Sequence, residues 1–193
     1  MRSHRILTPY ETDLADALFD AMFPTDADSP DVRDAGVTAY LDLTLEGYGR
    51  RDLPRYQWLF GALDRYAQDK HGRNFAALTL DERTDALVLL EQGELTDQLP
   101  AKEQRDLFGL VIAHLQEGLF ADPAHGGNKE AVGWKFLKHP GVWLENSAEE
   151  NLSTTHVTKA GVIKTLADAM QEIPRDTEGT GSSSSATKTP STP

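Results

Sequence analysis

Apolar residues recur at helical spacing in about six separate stretches of this sequence, and proline or glycine marks most of their ends. In the first stretch, Leu14, Leu18 and Met22 fall on one helical face, and Pro24 follows closely. No stretch shows the alternation of apolar and polar residues that is typical of a half-buried strand. The sequence therefore predicts an all-α fold, an irregular bundle of about six helices.

Two of the predicted helices begin with the residue pattern of a capping box, at residues 8–11 (TPYE) and 79–82 (TLDE). In each pattern, a threonine hydroxyl and a glutamate carboxylate can accept hydrogen bonds from free amides of the first turn. Ser29-Pro30 is expected to restart a helix by the same logic. The predicted helix ends fall at Gly47, Gly72, Gly93 and Pro174.

The chain of 193 residues has the size of one ordinary domain with a real hydrophobic core. Residues 1–174 are predicted to form this helical domain. Residues 175–193 consist mainly of Ser, Thr, Gly and Pro without apolar periodicity. We therefore predict a disordered tail over that range.

The charge balance excludes several classes of partner. The formal net charge is −12 and the sequence pI is about 4.8. Such an acidic surface argues against binding to nucleic acid, whose phosphates need Lys and Arg, and against docking on anionic lipid. The chain has no cysteine, which excludes disulfides, cysteine-ligated metal or cluster sites and thiol catalysis.

No apolar run approaches the roughly 18 residues that a membrane helix requires. The first residues, MRSHRILTPYE, lack the apolar core of a signal peptide. We therefore expect a cytoplasmic protein; the alternative is export to the periplasm with a partner that carries the signal. Arg50-Arg51 lies too far into the chain for a twin-arginine signal and is expected to be solvated surface.

The most unusual segment is residues 119–143, LFADPAHGGNKEAVGWKFLKHPGVW, called the anchor stretch below. It contains two of the three tryptophans, four glycines and two prolines, and it shows no regular period of its own. A loop of this length is usually functional or disordered. Its many apolar side chains argue against disorder. We predict a long ordered Gly/Trp-rich loop whose aromatic residues join the core, face a partner, or do both.

Few residues are candidates for chemistry. His114 lies on the apolar side of its helix and is expected to be a hydrogen-bonded core histidine. His125 and His139 share the anchor stretch and could converge on a metal, but no histidine has a compact metal-site spacing. The run GGN at 126–128 fits a tight turn, with an anion nest as the alternative. We predict no catalytic residue, no cofactor and no metal ligand in this chain.

Four short motifs of the anchor stretch resemble the signature of a known family. They are Asp122-Pro123, Gly126-Gly127-Asn128, Gly133-Trp134 and Pro140-Gly141. Their order and spacing resemble the gluconate 2-dehydrogenase subunit 3 family, and weaker similarity in the first helices extends the resemblance over residues 6–143. The sequence departs from the family where Lys138-His139 replaces the usual Gly-Tyr before Pro140, and where an export signal is expected.

The resemblance implies a non-catalytic small subunit that forms a heterodimer with a large FAD-bearing subunit of the glucose–methanol–choline (GMC) oxidoreductase type. Such a complex oxidises CH–OH groups of sugars or other alcohols and passes electrons to a quinone or a haem subunit. The small subunit would stabilise its partner and assist flavin loading. The expected partner interface consists of Asp122, Pro123, His125, Gly126, Gly127, Asn128, Gly133, Trp134, Pro140, Gly141 and Trp143.

Two other interpretations remain open at this point. The chain could be a helical adaptor or chaperone unrelated to flavoproteins. It could also be a metal-dependent enzyme that uses His125 and His139 with nearby carboxylates. A neighbouring reading frame with a strand–GxGxxG–helix pattern would favour the dehydrogenase subunit.

Overall fold

The computed structural model describes residues 6–145, 147–152 and 162–172. These residues form α-helices joined by turns and short 3₁₀ segments, and their only β-type pairing is an isolated parallel bridge between Gly141 and Lys164. The helices are α1 (Pro9–Met22), α2 (Val37–Glu46), α3 (Leu53–His71), α4 (Leu80–Gln92), α5 (Ala101–Phe120), α6 (Val132–Leu137), α7 (Ala148–Leu152) and α8 (Leu166–Glu172). The predicted all-α class is confirmed.

Local sequence signals fix the ends of the long helices. Both predicted capping boxes are formed: the amide of Thr8 donates to Glu11, and the amide of Thr79 donates to Glu82, each at 2.8 Å. Helix α3 ends at Gly72 and helix α4 ends at Gly93, both with left-handed backbone as a glycine C-cap predicts.

Helix α5 is the centre of the bundle. It packs against α2, α4 and α6, while α1 packs against α2, α3 and α4. The side chains between these helices form one continuous hydrophobic core. Its largest fully buried members include Phe19, Leu41, Leu59, Leu63, Phe75 and Leu90. Burying each such side chain stabilises the fold by about 1.5–3 kcal/mol. None of the helices in the described part of the chain is long and apolar enough to cross a membrane.

The segment after Ser29-Pro30 does not restart a helix, so that expectation is wrong. The Asp31 carboxylate accepts hydrogen bonds from the Arg33 amide at 2.7 Å and the Asp34 amide at 3.3 Å, which closes a turn instead. Gly36 then adopts a left-handed conformation, and α2 begins after it. Hydrogen bonds from backbone amides to the Asp31 carboxylate therefore stabilise a turn in place of the expected helix.

The C-terminal part of the chain differs from the sequence expectation in two places. The polar stretch after Trp143 contains the short helix α7. The last helix, expected from Val162, begins only at Leu166, where Thr165 and Asp168 exchange N-terminal capping bonds. The predicted tail at 175–193 lies outside the described residues.

Gln104 holds together the connection between α4 and α5. Its side chain is fully buried, and its Nε2 donates to the carbonyl oxygens of Gly93, Thr96 and Leu99 at 2.8–3.1 Å. Its Oε1 accepts from the Leu95 amide at 3.0 Å. One side chain thus contacts four backbone groups of a turn that has no secondary structure of its own, with the two Nε2 hydrogens shared among three carbonyl oxygens.

We predict that Gln104→Leu lowers the free energy of unfolding by about 3 kcal/mol, because buried backbone groups lose their partners. The matched control is Gln116→Leu, an exposed glutamine on the same helix. It should change stability by less than about 0.5 kcal/mol. Urea denaturation of the purified chain measures both values, and similar losses in the two variants would contradict the assignment.

Candidate functional site

The anchor stretch is built from short helical pieces rather than one continuous loop. After α5 ends at Phe120, two 3₁₀ turns, Pro123–His125 and Lys129–Ala131, lead into α6. All four non-glycine residues with positive φ in the described chain lie in this stretch: Asn128, Glu130, Ala131 and Lys138. Each such residue costs free energy of order 1 kcal/mol, so the surrounding contacts must hold the stretch in shape.

Asn128 supplies the central contact of the stretch. It is fully buried, and its amide nitrogen Nδ2 donates to the carbonyl oxygen of Ala121 at 2.8 Å. Its Oδ1 accepts from the amide of Gly133 at 2.8 Å. Its backbone amide donates to the carbonyl oxygen of Gly118 at 2.7 Å. A single asparagine therefore ties the middle of the stretch to the end of α5 and to the start of α6.

Two glycines of the family-like motifs allow the stretch to lie directly on α5. A Cβ on Gly127 would overlap the backbone of Gly118, and a Cβ on Gly133 would overlap the carbonyl oxygen of Leu119. No other residue type fits at either position without moving the helix. The GGN run is therefore a site of close backbone packing on α5.

Trp134 is a core residue of this unit. Only 5% of its surface is exposed, and its indole Nε1 donates to the carbonyl oxygen of Phe120 at 2.7 Å. This bond satisfies a carbonyl at the end of α5 that has no helical partner. His139 lies beside the indole, with ring centroids 5.3 Å apart, and its Nδ1 accepts from the Gly141 amide. His139 thus helps to shape the Pro140-Gly141 corner that follows.

The end of the anchor stretch is covered by residues 162–172, called the C-terminal segment below. The Val142 amide donates to the carbonyl oxygen of Lys164 at 2.7 Å, and the Lys164 amide donates to that of Pro140 at 3.1 Å. The Lys164 ammonium lies 4.0 Å from the centroid of the half-buried Trp143 ring, which is a cation–π contact. This part of the motif therefore contacts its own chain.

Asp122 connects the other end of the stretch to the same C-terminal segment. One carboxylate oxygen accepts from the Ala124 amide at 2.8 Å and caps the first 3₁₀ turn. The other accepts from the Leu166 amide at 2.6 Å, at the start of α8. Pro123 and Gly126 are half-exposed beside this contact, and His125 is exposed.

The predicted interface residues thus fall into three groups. Four of them, Gly127, Asn128, Gly133 and Trp134, are buried within the chain's own fold. Four others, Asp122, Pro140, Gly141 and Trp143, contact the C-terminal segment. Of the remaining three, Pro123 and Gly126 are partly exposed and His125 is exposed. A direct role of these residues in partner binding stays a prediction. Their role in shaping the stretch follows from the contacts described above.

His114 is the buried, hydrogen-bonded histidine that the sequence predicts. It is 5% exposed, and its Nδ1 lies 2.8 Å from the hydroxyl of Tyr56, which is also buried. Burial lowers the pKa of His114, opposed by the nearby Glu117 and Asp52 carboxylates and assisted by Arg55. Burial also raises the pKa of Tyr56. Both groups are therefore neutral near neutral pH.

Within the described residues, no group of three or more His, Cys, Asp or Glu side chains is placed to hold a metal ion. His125 lies on an exposed 3₁₀ turn, whereas His139 packs on Trp134.

Sequence reasoning missed an apolar groove beside the anchor stretch. The stripes of α1, α4 and α5 were expected to be core, yet Met22 and Phe108 remain half-exposed and line this groove. The signal was present in the helical spacing. Val88 and Ile112 extend the apolar stripes of α4 and α5 beyond the width that a core face needs.

The fold and the anchor stretch define a class: a small all-α protein in which a glycine-rich segment is locked onto a central helix. The family described as Gluconate 2-dehydrogenase subunit 3 matches residues 9–141, a span that contains α1 to α6 and the motifs of the anchor stretch. The span exceeds half of the chain, and the protein belongs to this family. No curated protein and no solved structure matches the chain.

We predict that Asn128→Gly lowers the free energy of unfolding of the isolated chain by about 3 kcal/mol, because the amide bonds to Ala121 and Gly133 are lost. Asn128→Ala should cost about 1 kcal/mol more, since φ is +43° at this position and alanine resists it. Urea denaturation measures both. Wild-type stability of the glycine variant would contradict the stabilising role assigned to the Asn128 side chain.

We also predict a stability change from His114. The folded state has the lower pKa, so the unfolded chain binds more protons once the pH falls below about 6.5. The stabilisation that depends on neutral His114 is fully present above about pH 6.5. It is lost as the pH falls toward the pKa of His114 in the folded state. When the pH is lowered from about 7.5 to about 5.5, the free energy of unfolding of His114→Gln should fall less than that of the wild-type chain. A slope for His114→Gln that equals the wild-type slope would contradict the assignment.

Proposed function

We propose that this protein is the non-catalytic small subunit of a heteromeric FAD-dependent dehydrogenase. The observation that carries the proposal is its membership of the gluconate 2-dehydrogenase subunit 3 family over residues 9–141. That family description names a subunit, and therefore implies association with a larger dehydrogenase chain. The partner proposed here is a large GMC-type oxidoreductase subunit, with which the chain forms a heterodimer.

The flavin belongs to the partner in this proposal. FAD chemistry would remove hydride from a CH–OH group of a sugar or another alcohol, and the electrons would pass to a quinone or a haem subunit. The chain described here supplies no reacting group. Its contribution is to bind the large subunit, to stabilise the flavin-competent fold and to assist flavin loading.

The rigidity of the anchor stretch supports this role. A partner surface that is already ordered costs little conformational entropy on binding. Asn128, Trp134 and the two close glycine contacts fix the stretch on α5 before any partner arrives. The exposed residues of the stretch, including His125, are thereby presented in a defined arrangement.

We further propose that the complex forms in the cytoplasm. Export to the periplasm by a signal on the large subunit is the alternative. Fractionation of native cells distinguishes the two compartments.

The first experiment is affinity purification of the tagged chain from its native cells, followed by an absorption spectrum of the eluate. We expect a large companion with a bound-flavin spectrum that bleaches when a suitable sugar or alcohol is added. The isolated chain should show no flavin spectrum and oxidise nothing. A colourless chain that elutes alone would contradict the proposal.

The second experiment tests maturation. The large subunit is produced with and without this chain, and flavin per large subunit is measured after purification. We expect a severalfold lower flavin content and less soluble protein without the small subunit. Equal flavin content and solubility in the two preparations would show that the chain does not assist maturation.

A further inference from the structure

An apolar groove runs between the end of α1 and the exposed faces of α4 and α5. Its volume is about 430 Å³. Its lining is mostly apolar, and its polar members are Thr84, Glu91 and Gln116. The side chains that form its floor and walls include Met22, Phe23, Val88, Phe108, Ile112 and Phe120. A groove of this kind on a soluble protein is typical of an interaction site.

The apolar surface continues past the groove onto α6. Phe23, at one end of the groove, makes an edge-to-face contact with Phe136, with ring centroids 6.3 Å apart. Phe136 is itself 41% exposed, as is Val88 in the groove. The groove and the outer face of α6 therefore form one surface, and α6 belongs to the anchor stretch.

This surface has an acidic end. Beyond Phe136 lies a second cavity, lined by Asp28, Asp31 and Asp34 together with Val132 and Lys135. Three carboxylates face one cation here, and the whole chain carries a net charge of −12. This surface thus has an apolar groove at one end and a negatively charged cavity at the other. A partner must match both parts.

The chain itself does not supply a suitable occupant. Outside the described residues, its large aliphatic side chains are Met1, Val157 and Ile173, each isolated in a polar sequence. A second copy would bring its own three aspartates and its own negative charge to the same face. An anionic lipid surface would be repelled for the same reason.

We infer that this face docks an apolar segment of the large dehydrogenase subunit that is followed by lysine or arginine residues. The apolar side chains of the segment occupy the groove between α4 and α5, pass over Phe136, and place the cations against Asp28, Asp31 and Asp34. The inference rests on the proposed function. It adds which surface binds the partner and what chemistry the partner's segment carries.

The position of the groove agrees with this occupant. Every residue that lines it falls between residues 21 and 136, inside the part of the chain that matches the family. The C-terminal segment, by contrast, lies outside that match. The groove is therefore built from the portion that defines a dehydrogenase subunit.

The test places a charge in the groove. Val88→Lys is compared with Leu80→Lys, because both residues lie on α4 and are almost equally exposed, at 41% and 40%. Wild-type and variant chains with different tags are produced together with the flavoprotein that co-purifies with the wild-type chain. The complex is isolated through the flavoprotein, and the ratio of the two small subunits is measured.

We expect Val88→Lys to be under-represented in the complex by about tenfold, and Leu80→Lys to match wild type. Thermal denaturation of each free chain checks that the variants are folded. Equal recovery of Val88→Lys and wild type would overturn the inference while the flavoprotein complex itself stands. If the wild-type chain binds no flavoprotein, the proposed function fails, and this inference fails with it.

A second variant tests the acidic end without touching the core. Asp28→Asn with Asp34→Asn removes two exposed carboxylates, and Asp13→Asn with Asp69→Asn removes two exposed carboxylates elsewhere. The first pair should weaken the complex by roughly threefold or more at low salt and should reduce its salt dependence. The control pair should not. If both double variants showed the same salt dependence, the partner's segment would not carry basic residues that contact Asp28 and Asp34.

Discussion

The side-chain amide of Asn128 is the contact on which the arrangement of this protein depends. It joins the carbonyl of Ala121 to the amide of Gly133, and it is buried where water cannot replace either bond. The neighbouring backbone adopts left-handed conformations at several non-glycine residues, which is unfavourable without such support. Together with Trp134 and the close contacts of Gly127 and Gly133, Asn128 therefore holds the anchor stretch in a strained shape and positions α6.

The motifs that identify the family are largely internal. Gly127 and Gly133 permit close approach to α5, and Trp134 covers the end of that helix. Residues that resemble a family signature are easily assigned to a partner interface. In this protein, most of them make contacts within their own chain. The surface that they position, rather than the motif side chains alone, is what a partner can contact.

Helix boundaries were predictable from the sequence because their causes are local. A capping box at Thr8 or Thr79 and a glycine at position 72 or 93 act within a few residues of themselves. The roles of Gln104 and Asn128 were not predictable, since each satisfies backbone groups that only the tertiary fold brings together. The apolar groove was missed for a related reason: helical spacing reveals an apolar face but not whether another helix covers it.

The pairing of Lys164 with Pro140 and Val142 has a consequence for solubility. Exposed apolar side chains, Leu137 and Leu144, flank residues 140–142, and unpaired backbone beside such side chains can recruit strands from other molecules. Here the Pro140 carbonyl and the amides of Gly141 and Val142 are already used within the chain. The C-terminal segment thus protects the corner against strand-like self-association, and an acidic surface adds repulsion between copies.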